Sequence, residues 1–123
     1  MTSTYHLGLL LLRVGFSGMM LTHGIPKLLD VIQGDFSFGD PIGLGATVSK
    51  ILAVIGEAIC PMLIIIGYKT RLATIPTIIT MLVAFFIVHA SDPFGTKEKA
   101  LMFACAFIVI ALTGAGKFSV DKK

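Results

Sequence analysis

Four uncharged or nearly uncharged runs, each about as long as a bilayer is thick, constrain this chain more than anything else in it. They cover roughly residues 6–25, 46–67, 71–90 and 100–116. A spanning helix needs about 20 predominantly apolar residues, so the four runs predict four membrane helices. Together they take up most of the 123 residues and leave no space for a separate soluble domain. The composition agrees: only 14% of residues are charged and 55% are hydrophobic, with a mean hydropathy of +0.93. Soluble domains run at about 25% charged residues. A soluble helical bundle would also need a polar face on every helix, yet Leu72–Val88 carries no charge at all. The expected fold class is therefore all-α, a transmembrane four-helix bundle forming one domain over residues 1–123.

Breaks between the runs are marked by helix-ending residues. Pro26 is expected to close the first helix, because proline removes a backbone donor. A loop from Lys27 to Gly45 follows, rich in glycine and holding Phe36 and Phe38, which would place it on the interface or over the bundle mouth. Tyr68-Lys69-Thr70 makes a tight hairpin, and Asp92-Pro93-Phe94-Gly95 another turn. The N-terminal run lacks a basic start and a small-residue cleavage site, so it reads as a retained first helix. Four spans put both termini on the side of Lys69, Arg71, Lys117, Lys122 and Lys123, against Lys27, Lys50, Lys97 and Lys99 on the other. By the lysine and arginine bias this predicts a multi-pass membrane protein with cytoplasmic termini.

Two charges sit in the middle of the apolar runs, Arg13 in the first and Glu57 in the second. A charge at the bilayer centre costs at least about 2.5–3.5 kcal/mol on insertion scales, so it is rare and usually paired or functional. With the first helix ending near Ile25, Arg13 lies about 18 Å below the outer end and Glu57 about 16 Å. The matched depth predicts an Arg13–Glu57 ion pair, structural in itself and serving as the polar floor of a site. Above it, His23, Lys27, His89 and Glu98 fall at one outer level. Histidine titrates near neutral pH and carboxylates relay protons, so His23, His89 and Glu98 are the candidates for proton exchange. Arg13, Lys27 and Glu57 are the candidates for ligand binding. Interfacial anchoring is the plainer reading of a lysine or histidine at a helix end. Two imidazoles and a carboxylate would also suit zinc or iron, but no spacing fixes them across three helices and no metal is assigned.

Several classes find no support. No basic stripe or nucleic-acid motif accompanies the net charge of +3. No GxSxG, GxGxxG or CxxC motif occurs, and Cys60 and Cys105 fall at different depths, which argues against a disulfide. Pro61 and Pro76 lie within spans and predict kinks.

The ordered set of residues resembles the DoxX family of small four-helix membrane proteins. It comprises Arg13, then His23-Gly24-Ile25-Pro26-Lys27, Glu57, Gly67-Tyr68-Lys69-Thr70-Arg71-Leu72-Ala73, His89, Glu98 and Gly114-Ala115-Gly116-Lys117-Phe118-Ser119-Val120-Asp121. Cys60-Pro61 departs from the pattern, where small residues such as glycine are expected. The resemblance implies the fold and a location in a bacterial-type inner (plasma) membrane. It also implies kinship with the membrane subunit of a thiosulfate:quinone oxidoreductase and with partners in membrane oxidative-stress complexes. The expected function is a redox-associated membrane subunit that binds a quinone or small oxidisable substrate in the outer half of the bundle. With no flavin or haem motif, electrons would come from a partner redox protein or from the substrate. A non-catalytic scaffold and a small-molecule transporter are the alternatives, the latter requiring a homo-oligomer or an alternating pair of hairpins.

Overall fold

The computed structural model describes residues 3–36 and 43–122. Phe38 and most of the glycine-rich loop tip, like Lys123, lie outside the described residues. Four helices make up the bundle: α1 (Ser3–Ile32), α2 (Ala46–Ile66), α3 (Thr70–Val88) and α4 (Phe94–Thr113). No strand occurs among the described residues. Helices α1, α2 and α3 are each long and apolar enough to cross a membrane. Helix α4 is of similar length, but Lys97, Glu98 and Lys99 occupy its opening turns. Each helix packs on the next in sequence, and α1 closes the ring against α4.

Polar and apolar residues are distributed as a lipid solvent demands. Leu11, Ile32, Leu72, Ile79, Phe86 and Leu112 point outward, whereas Arg13, Ser17, Glu57, Thr70, Thr74 and Thr77 are buried. Around Met20, Cys60, Ile64, Met81, Phe103 and Phe107 the interior is apolar. Cys60 is buried and Cys105 faces outward, both as free thiols.

The first helix does not stop at Pro26. It continues through that residue to Ile32, so the expected boundary at residue 25 is wrong. Pro26 deprives only the Thr22 carbonyl of its donor, a loss that membrane helices tolerate. At 1.5 Å per residue the extension adds about 10 Å and makes α1 about 45 Å long. Everything on α1 is thereby shifted relative to α2.

Helix α2 contains a π turn over Ile55–Ile59, where Cys60 N–H bonds the Ile55 carbonyl. Pro61 explains it: without an N–H it cannot serve the Glu57 carbonyl, and the helix widens by one residue there. That carbonyl instead presses on Gly24 of α1, where an added Cβ would collide with Glu57 backbone atoms. The unexpected Cys60-Pro61 thus shapes the α1–α2 contact. Replacing Gly24 by alanine is expected to destabilise the protein by about 1–3 kcal/mol, the usual range for overpacking. Thermal unfolding in detergent would measure it, and an unchanged midpoint would show that the helices are not in such close contact. On the other side of α2, Thr77 Oγ1 donates to the Gly56 carbonyl at 2.6 Å, tying α3 to the same widened turn. A second π turn, Ala84–Val88, ends α3, and His89 N–H bonds the Ala84 carbonyl at 2.9 Å.

Candidate functional site

Glu57 sits on the π turn of α2, buried in the wall between α1 and α2. Both its carboxylate oxygens accept hydrogen bonds from Lys27 Nζ at 2.8 Å. The expected Arg13–Glu57 pair therefore does not form. Continuation of α1 through Pro26 brings Lys27 level with Glu57 and leaves Arg13 about 21 Å away along the helix. Three residues beyond Lys27, on the same face, Asp30 reaches across to the buried Lys50 of α2 at 3.3 Å. Two ion pairs, with their charges in opposite order, thus tie together the halves of α1 and α2 that lie away from the Tyr68–Thr70 turn.

Arg13 has a different role at the other end of the bundle. It is 1% exposed, and one terminal nitrogen donates to the Ile64 carbonyl at 2.8 Å and also to the Ile65 carbonyl. The other donates to the Phe118 carbonyl at 2.6 Å. The orphan carbonyls at the end of α2 are thus met by a cation, which also suits the helix dipole. Gly67 follows in the left-handed region at φ 74°, turning the chain into α3. The C-terminal segment then threads back onto this turn. Val120 and Asp121 donate backbone N–H bonds to the Ile66 and Gly67 carbonyls at 3.1 and 2.8 Å. The Asp121 carboxylate accepts from the backbone N–H groups of Lys69 and Thr70 at 2.9 and 2.8 Å, capping α3. Arg13, the Gly67–Arg71 turn and the Gly114–Asp121 tail therefore form one structural knot.

Between the helix halves that lie away from the Tyr68–Thr70 turn is a cavity of about 530 Å³. Its walls are mainly apolar, with Met20, Leu52, Ala53, Met81, Val83 and Phe103 among them. Four expected site residues, His23, Lys27, Glu57 and His89, line it. His23 packs edge-on against Phe103, with ring centres 5.9 Å apart. His89 Nδ1 lies 2.7 Å from an oxygen of Asp92, which holds the imidazole at the rim. Two expected residues are elsewhere: Arg13 belongs to the knot, and Glu98 is exposed on α4 outside the lining. Among the described residues no group of three or more histidine, cysteine or acidic side chains is placed to hold a metal ion.

The structure adds cavity residues that sequence reasoning passed over. Lys97 and Lys99, on either side of Glu98, both line the cavity, as do Ser49 and Thr80. Lys97 Nζ stands 4.7 Å from the centre of the Phe85 ring. The two lysines were counted only toward topology, yet charged residues opening an otherwise apolar helix were a visible signal.

The DoxX family model matches residues 8–90 of the chain. The chain belongs to the DoxX family. It is 30% identical over 122 residues to the Bacillus subtilis protein named "Putative oxidoreductase CatD", covering 98% of this chain and 90% of that one. It is 28% identical over 127 residues to the Escherichia coli "Inner membrane protein YphA", covering 94% and 89%. No solved structure matches it significantly. The family match reaches from the first turns of α1 to the end of α3, so it takes in Arg13, Gly24, Lys27, Glu57 and His89 of this DoxX chain.

Proposed function

We propose that this DoxX protein is a redox-associated subunit of the bacterial inner membrane that binds a quinone or similar oxidisable ring in the outer cavity. One observation carries the reading: α1, α2 and α3 contribute His23, Lys27, Glu57 and His89 to a single apolar-walled space. Ligand pockets of about 300–1,000 Å³ with few convergent polar groups are the usual form of a small-molecule site. In this reading Phe103 and Met20 pack against the ring, and His23 hydrogen-bonds a ring oxygen. The Lys27–Glu57 pair provides the buried polar floor expected of Arg13–Glu57, with a different cation. His89 exchanges protons at the rim, and Glu98 is left without a part. The name of the Bacillus subtilis relative supports redox association, and that of the Escherichia coli relative supports the inner membrane. Cytoplasmic termini follow from the lysine and arginine bias toward the side of the Tyr68–Thr70 turn. Electrons would pass to or from a partner redox protein.

Native mass spectrometry of the purified protein tests this. Wild type is expected to carry a quinone or to take up added menaquinone-4, and His23→Ala to reduce occupancy about tenfold, a loss of about one charge-assisted or well-placed hydrogen bond. Failure of the folded wild type to retain or bind any quinone would overturn the reading.

A further inference from the structure

The charges lining the cavity do not balance. Three lysines, Lys27, Lys97 and Lys99, face one carboxylate, Glu57. Lys27 already holds both oxygens of Glu57, so that carboxylate is not free to neutralise a second cation. Asp92 is held by His89, and Asp30 by Lys50; neither they nor Glu98 lines the cavity. Lys97 leans over the Phe85 ring and donates to the Ala90 carbonyl at 3.4 Å. Lys99 differs from both: among the described residues it makes no hydrogen bond and no ion pair. It shares the cavity wall with His23, Lys27 and Glu57.

An uncommitted ammonium and an imidazole in the wall of one apolar space are complementary to an amphiphile with a negatively charged head. We propose that the cavity selects ligands with an anionic oxygen head, held between Lys99 and His23, and an apolar body lying against Phe103 and Met20. The inference rests on the reading of the cavity as a ligand site and adds the charge of what it takes. A carboxylate or phenolate on a small ring and the phosphate of an anionic phospholipid share this chemistry. The apolar walls accommodate either an aromatic ring or the upper part of an acyl chain.

A matched pair of probes tests it, 1-naphthoate and its uncharged methyl ester, titrated against the full chain in phosphatidylcholine nanodiscs with empty nanodiscs as blank. The chain has no tryptophan, so naphthyl fluorescence is read without that background. The acid is expected to bind about tenfold more tightly than the ester. Lys99→Gln should remove that preference while leaving the ester unchanged, and Lys99→Arg should keep it. If 20% phosphatidylglycerol in the nanodisc displaces the naphthoate, the anion is a lipid head; if it does not, the anion is a free organic acid. Equal binding of acid and ester by wild type, or an acid preference that survives Lys99→Gln, would overturn the inference. Menaquinone-4 binding in the same preparation separates the two failures. If it persists without an acid preference, only the charge selection falls; if it is lost as well, the cavity reading falls with it.

Discussion

Substituting methionine for Arg13 is expected to lower the thermal midpoint by about 10 °C, corresponding to about 3 kcal/mol for a chain of this size. Methionine keeps most of the buried volume, so the loss falls on polar contacts. The carbonyls of Ile64, Ile65 and Phe118 would lose a charged donor. A buried group left unsatisfied costs about 1–3 kcal/mol, and partial access of water near the bundle end keeps the sum at the lower side. Arg13→Lys should recover only part of the effect, since an ammonium lacks the forked geometry that reaches three acceptors on two segments. Circular dichroism of the detergent-solubilised variants measures both. Ligand binding in the cavity should persist in whatever fraction stays folded, because the knot lies about 21 Å along α1 from Lys27. A methionine variant as stable as wild type would show that Arg13 does not hold the tail.

The second large effect is at Lys27. Lys27→Met leaves Glu57 alone in a nearly dry wall, and breaking a buried pair on one side costs about 3–5 kcal/mol. The side chain of Lys27 is 32% exposed against 6% for Glu57, so the expected loss is nearer 3 kcal/mol. The informative variant is the double one. Removing both charges in Lys27→Met with Glu57→Leu should restore most of the stability, since a packed apolar pair often equals or exceeds a buried ion pair. Additive losses in the two single variants would refute direct coupling. The double variant should also lose quinone uptake while remaining folded, which separates the stabilising role of the pair from its place in the cavity wall.

Fold class was legible because apolar length alone dictates it: uncharged stretches such as Leu72–Val88 have no other stable environment. The polar lining of the cavity was legible in part for a related reason. His23, Lys27 and Glu57 are polar groups that an apolar helix carries only with partners, so sequence placed them in one region. The partner of each charge was not legible. Pairing depended on where α1 ends, and Pro26 reads as a stop although a membrane helix can pass through it. Carried on to Ile32, the same spacing puts Lys27 rather than Arg13 opposite Glu57, and adds Asp30 three residues further on the same face. The widened turn at Ile55–Ile59 was also hidden, since Pro61 signals a kink without saying which carbonyl is freed. Lys97 and Lys99 were visible as charges, but a helix-opening lysine is as easily an interfacial anchor. Only the arrangement of α4 against α1 and α3 turns them toward the cavity.

The tail tucked beneath the α2–α3 turn also affects how the molecule is made. Arg13 is bonded to a residue 105 positions later in the chain. At about 5–20 residues per second, Arg13 is added to the chain roughly 5–20 s before Phe118 exists. During that interval the guanidinium nitrogen that will reach Phe118 is left to water, lipid phosphate or the insertion machinery, and α3 has no Asp121 to cap its start. This knot therefore cannot close as the helices emerge one after another. It is completed only when residues 118–121 arrive, and then fastens the first helix, the central hairpin and the tail together.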